Sequence, residues 1–533
     1  MTEPIVDAVI IGAGHHGLVT AALLAEAGWD VVVHEGRDRP GGAVASTTVD
    51  DWVVDEFSSC YPLGRASPVL AGLELEAHGL EWVDHRPSVV HVAGAEDDQG
   101  SAVMATPEQT AAELDRDHAG DGAAWLRLWA NWQRVREPLL GALLQGWPPV
   151  RPAAALARVL GAAGLLDFAR FALLPSDRMG RECFGGQRGR DLLAGNAAHA
   201  DVSPLAPVSG MMGWLMTMMA QDVGFPVPRG GAGALAEALA SRARQAGAVV
   251  VLDSPVSGIT VSGRRATGVR LADGSTVRAR RAVVADVSAE ALYRDLLPSE
   301  SVPAGVLARL DRFAWDPPTL KLNLMLDAPM PWRASAARGA AVVHAGLSSS
   351  QFVRWHADVV TGTVPERAFG LVGQMTTADP SRSPVGTESL WAYTHLPRTD
   401  DPAAPQRSLE TVEAMFTELA PGWQDRVVHR WVQTPQDLAA ADPNLVHGAL
   451  GAGTTQLFQQ GPWRPVAGLG GPFTHLDGLF LGSAAAHPGG GVHGGAGFNA
   501  ARAALGSARW WSRPLGRAAS RTQDLLQRRP PSF

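Results

Sequence analysis

Glycines at 12, 14 and 17, an acid at 35 and a second glycine run near residue 490 are the features of this 533-residue chain whose types and spacing bear most directly on chemistry. The first set reads GxGxxG after an apolar, strand-like run from Ile5 to Ile11. Gly12 permits a tight turn, Gly14 admits close backbone approach to a pyrophosphate, and Gly17 lets helix and strand pack together. A helical pattern follows to Gly28, and its N-terminus offers unpaired N–H groups and partial positive charge to phosphates. A β-branched run, Val31 to Val33, then leads to Glu35, placed to accept hydrogen bonds from ribose hydroxyls. Strand, helix, second strand and acid in this order predict a dinucleotide-binding βαβ unit.

Leu479 to Gly482 predicts a short buried strand, after which Ser483 to Gly497, SAAAHPGGGVHGGAG, leads into a helix running to Leu505. Backbone so poor in side chains must pass close to a partner, and a helix N-terminus aimed there favours negative charge. Residues 35–42, EGRDRPGG, resemble the segment that hugs the diphosphate in FAD enzymes of the amine oxidase and phytoene desaturase type. GAGHHGLVTAALLAEAGWDVVVHEGRDRPGGA and HPGGGVHGGAGFNAARAAL together closely resemble the phytoene-dehydrogenase-related FAD flavoproteins. That family takes in pyridine nucleotide-disulfide oxidoreductase domain-containing protein 2 and desaturase-type carotene ketolases. PRGGAGAL, GQMTTADPSRSP and WAYTHLP extend the resemblance over nearly the whole chain. Two departures stand near the phosphates: Ala43, where many relatives have arginine, and His16, where close relatives have asparagine.

The resemblance implies an α/β fold, a glutathione-reductase-like FAD-binding Rossmann domain interleaved with an α+β substrate domain. It implies FAD contacts at Gly12, Gly14, Gly17, Glu35, Gly36, Arg37, Gly41, Gly42 and Ala43, and at the Val256 backbone beside the adenine. Gly482, Ser483, Gly490, Gly491, Val492 and His493 complete the set. The backbone at 491–493 is expected at the pyrimidine edge of the flavin, with His493 either adding charge there or packing within the loop.

In LKLNLMLD, leucines at 320, 322, 324 and 326 alternate with Lys321, Asn323, Met325 and Asp327, the period of a strand with one buried face. Lys321, the only lysine among 45 basic residues, falls on the other face. With Pro331-Trp332 following, the segment resembles the amine oxidase strand whose lysine holds a water beside flavin N5, which implies a catalytic role for Lys321. The plain alternative is a solvent-facing lysine on an edge strand. His199, Trp391 and Tyr393 are further catalytic candidates, and Gln374 and His395 weaker ones on the substrate side.

A chain of 533 residues exceeds what one hydrophobic core supports. The elements divide as 1–75, 228–289 and 466–508 for the FAD-binding domain, 76–227 (mainly helical) and 290–465 for the substrate domain, and 509–533 for a basic tail. Within 228–289, a helix closed by Gly247, a strand at 249–252, a β-meander to Ala279 and a returning strand from Val283 to Asp286 are expected. Methionines at 211, 212, 216, 218 and 219 suit an irregular apolar pocket or plain core. The tail sets six arginines, Trp510 and Trp511 against one aspartate from 509 to 529. It reads as a solvated, disordered end, with peripheral contact to an anionic membrane as the alternative.

A net charge of -8 argues against a nucleic-acid partner, which would need clustered positive charge. Cys60 and Cys183, far apart, form no dithiol motif, and no metal set is visible, so redox chemistry falls to a cofactor. No signal peptide or apolar span is evident, and the cytoplasm is the default location. The leading expectation is an FAD-dependent dehydrogenase, desaturase or oxidase of an apolar, isoprenoid-like small molecule. Its electrons would leave to oxygen, a quinone or another carrier. Alternatives are an amine or amino-acid oxidase, a redox-neutral flavin isomerase, and a non-catalytic lipid-binding escort protein.

Overall fold

The structure, a computed structural model, describes residues 4–509 and 512–531; Trp510 and Trp511 of the tail lie outside the described residues. Two seven-stranded sheets organise it. In the first, Ile5–Ile11 is flanked in parallel by Val31–His34 and by the second half of Thr276–Ala285, and the outer parallel strands are Val249–Val251 and Leu479–Leu481. Two antiparallel strands, Val256–Ser262 and Arg265–Leu271, continue the sheet from the first half of Thr276–Ala285. The expected meander strand and returning strand are thus one ten-residue strand that changes partners midway.

Both faces of the parallel region are covered, which explains apolar runs without alternation. Ala8, Ile10, Val31, Val33 and Val284 pack under helices His15–Glu26, Ala232–Gln245 and Gly495–Ala508. Val9, Ile11, Val32, Val283 and Ala285 pack on the opposite side with Ile259, Val269 and Leu292. The carboxyl ends of neighbouring strands therefore gather Gly12, Glu35, Asp286 and Gly482 along one rim, where open α/β sheets bind ligands.

The second sheet runs Val427–Gln433, Thr319–Leu326, Glu388–His395, Gly370–Gln374, Val342–Ala345, Val89–Val92, Ser101–Val103. Leu320, Leu322, Leu324 and Leu326 point to one face, where Val90, Val343, Val372 and Leu390 join them beneath helix Ala404–Leu419. Lys321 therefore sits on a central strand and is 3% exposed, so the edge-strand alternative is overturned. Helices Pro107–Asp117, Asp121–Leu144, Gln187–Ala197 and Ser209–Asp222 cover the other face. Of the methionines, Met211, Met218 and Met219 are plain core beside Trp214.

Among the described residues the tail is helical rather than disordered. Arg513–Gln527 is a helix whose inward face is polar: Ser520, Gln523, Asp524 and Gln527 are buried. Gln523 accepts the Leu469 N–H at 2.8 Å, and Asp524 binds Arg264 at 2.8 Å. Leu515, Leu525 and Leu526 face outward.

Candidate functional site: a dinucleotide trough and a polar sheet face

The turn after Ile11 is built as the spacing requires, with one partner that the motif does not reveal. Glu35 accepts the Ala13 N–H at 2.6 Å and the Arg37 N–H at 3.0 Å, which fixes its carboxylate and leaves lone pairs for ribose hydroxyls. Gly41 donates to the Ala13 carbonyl at 2.8 Å, folding the RPGG segment back over the turn. Arg37 spans Gly42 and Glu56, at 3.2 Å each. Asp286, 269 residues away, accepts the Gly17 N–H at 2.7 Å. A Cβ on Gly14 would stand 2.6 Å from the Asp286 carboxylate, so that glycine makes room for an acid as well as for a ligand. Burial pushes Asp286 up to about 8 against the Gly17 hydrogen bond, with Asp442 and Glu35 adding to the rise. A neutral carboxyl at neutral pH leaves the turn free of like charge toward a diphosphate. An acid closing a parallel strand was the signal that sequence reasoning passed over.

Surface that remains accessible forms one run: Gly36 and Arg37, then Gly12, Gly14, Gly42 and Ala43, then His15 and Gly490, Gly491 and Val492. His15 joins the two ends, its Nε2 lying 3.3 Å from the Gly491 carbonyl oxygen. The Glu35–Arg37 backbone bonds residues 251–254, and Gly36 stands against Pro255, which puts Val256 at the outer end. An elongated trough, with an acid at one end and a glycine backbone at the other, fits FAD.

Several expected contacts lie behind this run: Gly17 and Gly41 are buried, their N–H groups on Asp286 and on the Ala13 carbonyl. Gly482 is buried with its N–H on Ala285, and the Ser483 hydroxyl donates to Val287 at 2.6 Å. The His493 side chain does not face the trough: its Nδ1 accepts the Gly495 N–H at 2.9 Å, and the ring packs on His16. Burial lowers His493 to about 3, so it adds no charge there.

On the second sheet, strand register lines up Gln433, Lys321, Tyr393, Leu371, His344, His91 and Ser101 in one row. Trp431, Asn323, Trp391 and Gly373 form the adjacent row. The rings of Trp391 and Tyr393 lie 15° from parallel, centroids 5.9 Å apart. His199 comes from a helical connection to meet this face, its Nε2 2.9 Å from that of His344. Burial lowers His199 to about 4, with His395 adding to the fall. Gly195 lies between His91 and His344, where a Cβ would be 2.5 and 2.6 Å from their Nδ1 atoms. The structure thus brings Lys321, Trp391, Tyr393 and His199 to one face, where sequence reasoning missed His91 and His344. Gln374 points to the opposite face and is spent on Trp332 at 2.9 Å and on the Ala337 and Ala340 carbonyls.

Lys321 donates to the Asp55 carbonyl, while the Asp55 carboxylate is ion-paired with fully buried Arg382. Burial lowers Lys321 to about 8, against the pull of Asp55 and Glu56. Cys60, nearby, is pushed by burial and by Asp55 up to about 12 and stays a thiol.

Raised to about 8, Asp286 is neutral below that pH and anionic above it. FAD affinity is therefore expected to fall as pH rises through 8, and Asp286→Asn to remove that dependence while keeping FAD. Titration of the apoprotein with FAD between pH 6.5 and 9.5 measures both, and a wild-type affinity flat across the range refutes the role.

Residues 17–505 match the family described as flavin containing amine oxidoreductase. The chain is 28% identical to pyridine nucleotide-disulfide oxidoreductase domain-containing protein 2 of Rattus norvegicus, over 94% of this chain and 93% of that protein. It is 27% identical to a zeta-carotene-forming phytoene desaturase of Myxococcus xanthus, over 86% of each chain. Cyclohexylamine oxidase from Brevibacterium oxydans shares the fold, with a TM-score of 0.58 at 17% identity, covering 94% of this chain and 99% of that one. With the trough and the rim of strand ends, these likenesses settle the class: the chain belongs to the flavin containing amine oxidoreductase family and is an FAD-dependent oxidoreductase.

Proposed function

We propose that the chain removes two hydrogens from an apolar, isoprenoid-like small molecule held between the helical layer and the polar face of the second sheet. The observation that carries this reading is the composition of that boundary. Trp391, Leu371, Val342 and Val89 of the sheet belong to one apolar cluster with Trp125, Trp132, Trp214, Met218 and Phe225 of the helical segment, and Tyr393 packs against it. None of the sheet residues on this face is acidic, so the sheet offers no carboxylate to an ammonium group. The relative from Myxococcus xanthus is, by its description, a phytoene desaturase.

Gly12, Gly14, Gly42 and Gly490–Val492 would hold FAD along the trough, and FAD held there would supply the hydride acceptor. The chain's own work is to orient and to manage charge. The nearly parallel Trp391 and Tyr393 rings would align a flat hydrocarbon, and the tryptophan and methionine layer excludes water. Lys321, in a site of low dielectric, holds a proton at Nζ next to the charge that develops during transfer. Oxygen, a quinone or another carrier would then take the electrons.

Anaerobic mixing of the holoenzyme with an isoprenoid polyene in detergent should bleach the flavin and yield a product lighter by two hydrogens. Bleaching by amines alone, with peroxide formed in air, would replace this reading with the amine oxidase one.

Lys321 is the cation below about pH 8 and the free amine above it. Flavin reduction or reoxidation should therefore change rate through that pH, and Lys321→Met should slow it by about tenfold or more and abolish the inflection, with FAD binding kept. Rapid-mixing traces of both half-reactions equal to wild type would remove Lys321 from the chemistry.

The outward face of helix Arg513–Gln527 supports a peripheral membrane role. Leu515 (71% exposed) and Leu525 (70%) crest it, with exposed Arg517, Arg521 and Arg529 beside them. Gln523 ties this helix to the segment that carries exposed Phe458 and Trp463, and that segment meets exposed Trp147 at Gly461. Among the described residues no helix is long and apolar enough to cross a membrane, so such contact would be surface-bound. Vesicles rich in phosphatidylglycerol should co-float wild type but not a Leu515→Ser/Leu525→Ser variant. Equal flotation of both would assign the face elsewhere.

A further inference from the structure

Arg382 and Arg464 are both fully buried, and their charges are met differently. Arg382 has Asp55 as its counter-ion. Arg464 is surrounded by backbone carbonyls: Nε donates to Ala484 at 3.1 Å, Nη1 to Thr454 at 3.0 Å, and Nη2 to Gly451, Ala452 and Ala484 at 3.0, 3.0 and 2.9 Å. The acids whose fields reach it, Asp316 and Asp201, are engaged on the amide side of the same loop. Asp316 accepts the Gly451 and Gly453 N–H groups at 2.8 and 3.0 Å, and Asp201 accepts that of Thr455 at 2.7 Å. Burial lowers Arg464 only to about 10, so the cation persists at neutral pH.

The location of this charge is informative. Its guanidinium carbon lies 3.1 Å from where a Cβ on Gly489 would stand, and Gly490 rests on the Gly451 carbonyl oxygen, 2.6 Å from its own Cβ position. The cation is therefore one layer of backbone behind HPGGG, whose next residues, Gly491 and Val492, are open to the trough. Among the described residues no carboxylate contacts the guanidinium: Asp316 and Asp201 act on it from the amide side of the 451–454 loop, while the 489–490 backbone lies directly against it in a low-dielectric interior that screens its field little.

We propose that Arg464 is a positioning residue for charge, stabilising through the 489–492 backbone the negative charge that the flavin pyrimidine ring carries when reduced, and so raising the cofactor's potential. The inference rests on the reading that the ring lies over Gly490–Val492. The N-terminus of helix Gly495–Ala508 aims the same sign of field at that place. A mere clamp on the 451–454 loop would need the hydrogen bonds but not the charge.

Sulfite is a suitable probe, since its lone pair forms a bond to N5 of oxidised flavin and the displaced pair remains on the pyrimidine ring as negative charge. In FAD-loaded enzyme, Arg464→Gln, which keeps donors and loses charge, should weaken sulfite binding by about tenfold or more and lower the midpoint potential, while Arg464→Lys stays near wild type. Should Arg464→Gln not retain FAD, Asp201→Asn, which removes a nearby negative charge, should tighten sulfite binding. Wild-type sulfite affinity and potential in Arg464→Gln, no tightening in Asp201→Asn, or no sulfite binding by wild-type holoenzyme would each overturn the proposal. Failure of the cofactor placement shows separately, as unchanged FAD retention in Glu35→Ala.

Discussion

Everything in this structure that concerns chemistry depends on how charge is held away from water, and Asp55 is where most of it converges. One carboxylate oxygen accepts the Ser46 hydroxyl at 2.7 Å and the Ala232 N–H at 2.8 Å, the latter from the first turn of a helix that covers the first sheet. The other is paired with Arg382, and the main-chain carbonyl receives Lys321 from the second sheet. One residue thus meets a helix start, the Lys321 ammonium and one amino group of Arg382. Removal of a partner from such a buried set typically costs about 3–5 kcal/mol, because an uncompensated charge remains. The same residue joins the layer that builds the trough to the polar face of the second sheet. Register between the two sheets is consequently fixed by electrostatics as well as by apolar packing.

The two sheets follow different rules for the same reason, burial. In the first, both faces are covered, so its parallel strands read as unbroken apolar runs, and its polar groups collect at strand ends. In the second, both faces are covered too, but one is wholly apolar and the other mixes polar with apolar side chains, so leucines alternate with lysine, asparagine and methionine in Thr319–Leu326. The first arrangement suits a ligand that lies across strand ends.

These differences explain what could be read from residue order. Local backbone requirements were legible: GxGxxG predicts the tight turn and the strand–helix–strand order that are found, and the alternation around Lys321 gave its face. What a face meets was not legible. Asp286 reaches Gly17 across 269 residues: an acid at a strand end points to the rim, but nothing in the residue order names Gly17 as its partner. His91 and His344 become neighbours only through the register of Val342–Ala345 with Val89–Val92. Gln374 carries a plausible site side chain, but strand parity turns it to the core face, where Trp332 occupies it. The tail misled because arginine density suggests solvation, while its buried glutamines and serine follow helical spacing, a pattern that apolar periodicity does not detect.

Gly195 carries a consequence that reaches beyond this one chain. Its missing side chain is the space in which the His91 and His344 rings approach each other. A larger residue there would force at least one imidazole to move, so the identity of position 195 and the placing of the histidine pair constrain each other. In any relative, the residue aligned with Gly195 is a marker for whether this stretch of the sheet face holds two imidazoles or something smaller, readable before a structure is known.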